Sequence, residues 1–160
     1  MTGDQGTQTA ILSAGCFWGV EEAFRTLPGV MATEVGYTGG DTDEPTYEDV
    51  CDGNTGHAES VKITFDPKEL PYEQILEVFW ESHDPTTLDR QGPDVGDQYR
   101  SMIYYTSASQ KDMAEWSKQA AQNRFSKKIV TRIAKAEKWW KAEKYHQQYF
   151  MKRGGGTCHI

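Results

Sequence analysis

The chain has 160 residues and a mass of 18.1 kDa, enough for one domain that buries roughly two-thirds of the surface its unfolded form exposes. Apolar residues make up 37%, aromatic residues 12% and charged residues 26%, with a formal net charge of −7. That balance favours a folded chain over a disordered one and argues against a nucleic-acid or anionic-membrane partner. Residues 1–9 are too polar for a secretion signal, no apolar run approaches bilayer length, and an odd three cysteines do not suggest a secreted disulfide framework. A cytoplasmic, reducing location is the expectation.

Strands and helices alternate along the chain. Residues 9–14 read as a buried strand through Ala10-Ile11-Leu12, running into Gly15-Cys16-Phe17-Trp18-Gly19. A short helix over 18–26 is stopped by Leu27-Pro28-Gly29. Residues 30–37 form a second strand that ends at Gly39-Gly40, and a polar stretch from Asp41 to Pro45 leads into a short helix over 47–51. Residues 58–65 alternate, with Val61, Ile63 and Phe65 on one face and Lys62 and Thr64 on the other. The segment 72–82 is an amphipathic helix with Ile75, Leu76 and Phe79 at helical spacing. A long loop over 84–98 follows, and loops of that length in compact domains are often functional. Then come a strand over 100–105, a helix over 107–125, a strand over 128–133 and a short helix over 142–151. The tail, with Gly154-Gly155-Gly156 before Cys158, has the composition of a flexible segment. The pattern predicts an α/β class: one mixed sheet with helices packed on it.

Cys16 is placed where a buried strand should turn into a helix. A helix start offers unpaired N–H groups and the positive end of the macrodipole, both of which favour the reactive thiolate. The same position also suits a buried structural cysteine. Glu59 is in phase with Val61, Ile63 and Phe65, on the face meant for the core, where burial would raise its pKa and keep it a proton donor. As the second residue of its strand, it could equally bend out to water. Tyr47 and Tyr99 sit in marginal positions that suit ordinary surface tyrosines as well as catalytic ones. Cys51 has neither a glycine hinge nor a helix start, and reads as packed or spare. His57, His83, His146 and His159 have no ligand spacing, so no metal site is expected. The basic segment between Arg124 and Lys144 reads as a solvated face.

The blocks Gly15-Cys16-Phe17-Trp18-Gly19, Gly36-Tyr37-Thr38-Gly39-Gly40, Pro45-Thr46-Tyr47-Glu48 and Thr55-Gly56-His57-Ala58-Glu59 occur in order. They are followed by His83-Asp84-Pro85-Thr86-Thr87, Arg90-Gln91-Gly92-Pro93-Asp94-Val95-Gly96, Gln98-Tyr99-Arg100-Ser101, and Ala142-Glu143 with Tyr145-His146-Gln147-Gln148-Tyr149. From about residue 10 to 151 the chain resembles the peptide methionine sulfoxide reductase A family. The resemblance implies a ferredoxin-like two-layer sandwich, with a flexible stretch over 1–8, the catalytic domain over 9–151 and a glycine-hinged tail over 152–160. It implies that Cys16 attacks the sulfoxide sulfur and that Phe17 and Trp18 hold the substrate methyl group. Glu59 would protonate the sulfoxide oxygen with help from Tyr47 and Tyr99, Asp94 would support the site through hydrogen bonds, and Cys158 would resolve the oxidised Cys16. The reductant implied is thioredoxin, and the substrate is methionine sulfoxide, free or in proteins. No cofactor is implied, and a monomer is the expectation.

The chemistry suits those residue types. Attack at a sulfoxide sulfur pushes electron density onto oxygen, where an acid and hydrogen-bond donors stabilise it. The resulting Cys16 sulfenic acid condenses with a second thiol, and three glycines before Cys158 supply the reach such a thiol needs. Two rival functions compete: a thiol peroxidase, against which Phe17-Trp18 builds an apolar rather than a polar pocket, and a non-catalytic binder of oxidised methionine. The tail ends two residues after Cys158, which predicts a two-cysteine cycle unless Cys51 takes part.

Overall fold

The computed structural model describes residues 7–53 and 55–152, with Phe150 described by its backbone alone. In chain order the elements are β1 (Gln8–Ala14), α1 (Phe17–Arg25), β2 (Val30–Thr38), α2 (Tyr47–Cys51) and β3 (Ala58–Phe65). They continue with α3 (Tyr72–Ser82), β4 (Arg90–Gln91), β5 (Asp94–Val95), β6 (Ser101–Tyr105) and α4 (Ala108–Gln122). The last are β7 (Arg132–Lys135), β8 (Trp140–Lys141) and α5 (Tyr149–Lys152).

Six strands form one mixed sheet in the order β7-β6-β1-β3-β2-β8. Every pairing is antiparallel except β6 with β7, which is parallel. Strand alternation then sorts the side chains. Ala10, Leu12 and Ala14 of β1 join one core with Phe17, Val20 and Phe24 of α1, Ile75, Leu76 and Phe79 of α3, and Ala114 and Ala121 of α4. Ile11 points the other way, into a small cluster with Met102 and Tyr104. The helices therefore cover one face of the sheet. The buried large side chains there are each worth about 1.5–3 kcal/mol of apolar transfer.

The elements through α3 sit within one residue of the sequence expectation, and those over 47–51, 58–65 and 72–82 coincide with it. α2 is held by a reciprocal cap: the Asp49 N–H donates to Thr46 Oγ1 and the Thr46 N–H donates to Asp49 Oδ2. Three later segments differ. The loop over 84–98 contains the β4–β5 hairpin and a 3₁₀ turn over Asp97–Tyr99. The strand expected over 128–133 begins at Arg132, because the backbone before it is engaged elsewhere: the Ile129 N–H donates to Gln122 Oε1 and the Val130 N–H to the Pro85 carbonyl. The helix expected over 142–151 is instead a 3₁₀ turn over Lys144–His146 and the short α5, preceded by the edge strand β8. β8 reaches β2 because Gly36 has no Cβ; one there would collide with the Trp140 carbonyl and the Trp139 ring.

The topology brings chosen strand ends together. Leu12 pairs with Val61 and Ala14 with Ser101, so the end of β1 lies beside the beginnings of β3 and β6. That edge carries the candidate residues. The tail with Gly154, Gly155, Gly156 and Cys158 lies outside the described residues.

Candidate active site

Cys16 follows β1 and forms the N-cap of α1, at φ −56° and ψ 120°. Gly15, at φ +98°, makes the turn from strand to helix in a conformation that favours glycine. Cys16 is buried, and the first N–H groups of α1 and its dipole face this end. Such a setting lowers the cost of forming a thiolate in a site that excludes most water.

Glu59 lies on β3 opposite Tyr37 of β2 and is 1% exposed, so it faces the core in phase with Val61, Ile63 and Phe65 and does not bend out to water. Its Oε1 accepts a hydrogen bond from the Phe17 N–H at 3.2 Å. One of the orphan donors of α1 thus ties the carboxyl to the residue that follows Cys16.

Tyr47 opens α2, and Tyr99 closes the 3₁₀ turn just before β6. Burial first, and the Glu59 charge second, push both phenols far above their usual range. Both hydroxyls therefore remain protonated donors at neutral pH. Glu59 in its ionised form acts electrostatically on each of them. Tyr99 also feels Cys51, Asp94 and Cys16, in that order. Asp94, half-buried on β5, thus bears on the site through its charge on Tyr99.

Phe17 and Trp18 take part in an aromatic cluster. The Phe17 ring is buried and lies 6.4 Å from Tyr47, while Trp18 is half-buried and lies 6.3 Å from Tyr47. Tyr149 stacks on Trp18 with ring centroids 3.8 Å apart and planes within 7°. The Trp18 Nε1–H donates to His146 Nδ1 at 2.8 Å. Of the pair, Trp18 is the wall that reaches the surface.

Residues 8–160 match the family profile described as peptide methionine sulfoxide reductase. The chain belongs to the peptide methionine sulfoxide reductase family. It is 51% identical over 160 residues to the peptide methionine sulfoxide reductase MsrA of Methanoculleus marisnigri, covering 99% of this chain and 98% of that one. Among solved structures it is similar to reduced Mxr1 from Saccharomyces cerevisiae, with a TM-score of 0.91 and 31% identity over 96% of this chain and 90% of that one. Methionine sulfoxide reductase A of Corynebacterium diphtheriae superposes with a TM-score of 0.87 and 36% identity, over 98% of this chain and 79% of that one.

In this member of the family the tyrosines are held by a residue that pattern reading missed. Glu143 accepts from the Tyr37 hydroxyl at 2.8 Å and from the Tyr47 N–H at 2.8 Å. Desolvation would raise its pKa, but hydrogen bonds from the Tyr47 backbone, its own backbone and Tyr37 outweigh that and hold it below the usual carboxylate range. Glu21, buried on α1, clamps the same C-terminal segment: it accepts from the Gln148 N–H at 2.8 Å, Gln148 Nε2 at 2.7 Å and Thr33 Oγ1 at 2.6 Å. The only sequence signal for these contacts was that Ala142-Glu143 and Tyr145-His146-Gln147-Gln148-Tyr149 stood among the family-like blocks.

Cys51, expected to be packed or spare, is exposed at the end of α2, close enough to Tyr47 for the two to perturb each other's protonation. Desolvation still raises its thiol pKa, aided by the Glu59, Asp52 and Glu143 charges, so it is not an activated nucleophile. His57 is structural: its Nδ1 accepts from the Gly40 N–H at 2.9 Å and its Nε2 donates to the Thr42 carbonyl at 2.7 Å. Both ring nitrogens are occupied by the loop after β2, which leaves none to act as a base for Cys16. Among the described residues, no group of three or more His, Cys, Asp or Glu side chains is placed to hold a metal ion. No described helix is long and apolar enough to cross a membrane.

Proposed function

We propose that the chain reduces methionine S-sulfoxide, free or in proteins, to methionine by thiol chemistry at Cys16. The observation that carries this reading is the junction at the start of α1, where Cys16 caps the helix and the next N–H is bonded to the buried Glu59 carboxyl. A nucleophile and an acid then flank one point, and the protonated Tyr47 and Tyr99 lie within electrostatic reach of the acid.

In the first step the Cys16 thiolate attacks the sulfoxide sulfur. Glu59 gives its proton to the sulfoxide oxygen, and Tyr47 and Tyr99 donate hydrogen bonds to the charge that develops there. Phe17 and Trp18 hold the methyl group in an apolar pocket, with Trp18 forming the outer wall, and Asp94 supports Tyr99. The oxygen passes to Cys16, the substrate sulfur gains two electrons and leaves as methionine, and Cys16 becomes a sulfenic acid. The Cys158 thiol then attacks the Cys16 sulfur, which forms a disulfide and releases water. An outside dithiol restores both thiols by exchange. That dithiol is thioredoxin, as the family resemblance implies; Mxr1 from Saccharomyces cerevisiae has been solved in complex with Trx2.

The reading places the work in protein repair in the reducing cytoplasm, by a monomer whose domain spans 9–151 and whose tail over 152–160 carries Cys158. The finer fold class follows the same reading. The succession β1-α1-β2-β3-α3-β6, with strand order β6-β1-β3-β2, supports a ferredoxin-like two-layer sandwich. The deciding assay is consumption of the S epimer of a methionine sulfoxide substrate, with dithiothreitol and separately with thioredoxin. Consumption of the S epimer but not the R epimer is expected. Turnover of hydrogen peroxide in preference to the sulfoxide would replace this reading with a thiol peroxidase.

A further inference from the structure

His146 is 0% exposed, at the centre of the aromatic cluster, with ring centroids 4.4 Å from Tyr47, 5.2 Å from Phe17 and 5.5 Å from Trp18. An indole N–H is a donor only, so the 2.8 Å bond from Trp18 Nε1 requires an unprotonated Nδ1 on His146. The ring is therefore neutral, with its proton on Nε2. That Nε2 is buried and has no hydrogen-bond partner among the described residues; Glu143 Oε1 lies 3.9 Å away and already accepts from Tyr37. The bond that orients the imidazole is the one from the indole.

We infer that His146 is a positioning residue that fixes the Trp18 indole, and that protonating it on Nδ1 sets two donors face to face and releases the indole. Its consequence for the substrate pocket rests on the reductase reading above. The groups facing the ring are Glu143 and Tyr145 from its own turn and cap, Tyr47 from α2, the uncharged Phe17 and Trp18 rings of α1, and Tyr37 of β2 through the shared Glu143 carboxylate. Glu143 alone among them carries charge at neutral pH, and it would stabilise an imidazolium. Burial outweighs it and holds His146 below the usual histidine range. The sign follows. The bond is intact above about pH 6.5, the ordinary histidine value, and is lost as pH falls through the lower value in the fold. Glu143 itself, held below the usual carboxylate range, stays ionised through that window.

The test uses pre-reduced enzyme in single turnovers without added reductant, so that the pH dependence of a small thiol does not intrude. In the wild type, the sulfoxide concentration giving half the maximal rate is expected to rise about three- to tenfold as pH is lowered from about 7.5 through the titration of the Trp18 indole resonance, the worth of one hydrogen bond. His146→Asn keeps an acceptor where Nδ1 stands and cannot titrate, so the dependence should vanish. His146→Leu removes the acceptor and should hold half-saturation high at every pH. In parallel, the Trp18 indole N–H resonance, assigned with Trp18→Phe, should titrate below pH 6.5 in the wild type and stay fixed in His146→Asn, about the range set by an ordinary histidine. A wild-type half-saturation that ignores pH, an unchanged dependence in His146→Asn, or a Trp18 resonance that does not titrate would each overturn the inference. The resonance needs no turnover. If it titrates while no sulfoxide is reduced, the His146–Trp18 coupling stands and the reductase reading falls.

Discussion

Replacing Glu143 separates the support of the site from its chemistry. Glu143→Ala strands the Tyr37 hydroxyl, which is fully buried, and the Tyr47 N–H, both of which are 2.8 Å from the carboxylate. A hydrogen bond to a charged acceptor is worth about 1.5–3 kcal/mol, and a helix-end N–H that water can partly reach loses about 1 kcal/mol. The Glu143 side chain is 33% exposed, which favours the lower figures and a total of about 2–3 kcal/mol. At this chain length that lowers Tm by about 4–12 °C. Freeing Tyr47 should also reduce kcat/KM about tenfold, or about 1.4 kcal/mol in the transition state. Glu143→Gln can satisfy both partners, its amide oxygen accepting from the Tyr47 N–H while its NH₂ donates to the Tyr37 hydroxyl, so it should cost about 1 kcal/mol or less. The pH dependence has a definite sign. A carboxyl with a depressed pKa in the fold contributes stability in full above its unfolded value of about 4.3 and loses it as pH falls through the folded value. The advantage of the wild type over Glu143→Gln should therefore shrink on acidification below pH 4.3 or so. Thermal and urea unfolding with unchanged m-values measure the stability changes, and steady-state kinetics measure the fall in kcat/KM. A Glu143→Ala protein melting within about 2 °C of the wild type, or a Gln variant as damaged as the Ala one, would refute the assigned role.

Cys16→Ser should abolish sulfoxide reduction with the fold intact, since a serine hydroxyl is too poorly ionised to attack sulfur; turnover in a variant with a clean mass spectrum would sink the assignment. Glu59→Gln can still hydrogen-bond the sulfoxide oxygen but cannot protonate it, so single-turnover methionine release should slow by about 10²-fold or more, and an unchanged rate would make Glu59 structural. Cys158→Ser should release one methionine per enzyme without reductant and then stall with a trappable sulfenic acid at Cys16. In the same variant thioredoxin-driven turnover should collapse, with partial rescue by dithiothreitol. A Cys16–Cys51 bridge as the main product in oxidised wild type would transfer the resolving role to Cys51, whose thiol sits against Tyr47.

Local pattern carried the reading as far as α3 because the forces there are local. The alternation of Val61, Ile63 and Phe65 placed Glu59 on the buried face, and β3 has that face at the core. Gly15 before Cys16 marked the strand-to-helix turn, and Gly15 does adopt a positive φ there. The C-terminal segment was not legible in the same way, because its conformation is dictated by partners more than a hundred residues away. Gln147 spends both ends of its amide on β2, accepting from the Val35 N–H at 2.9 Å and donating to the Val35 carbonyl at 2.9 Å. That pairing extends the edge of the sheet where a helix was expected, since a side chain that bonds a distant backbone cannot be seen in its own window of sequence. Gln148, at φ +50°, is held in turn by the buried Glu21. These two clamps bring Glu143 to Tyr37 and Tyr47, His146 to the Trp18 indole, and Tyr149 onto the Trp18 ring. The groups proposed to act on the sulfoxide, Cys16, Tyr47, Glu59 and Tyr99, come from the first hundred residues and stood in recognisable motifs. What fixes their orientation arrives last in the chain, through contacts that only the folded sheet brings within reach. Substitutions at Glu143 and His146 should therefore act on the site before they act on the core, which makes these two the informative places to perturb.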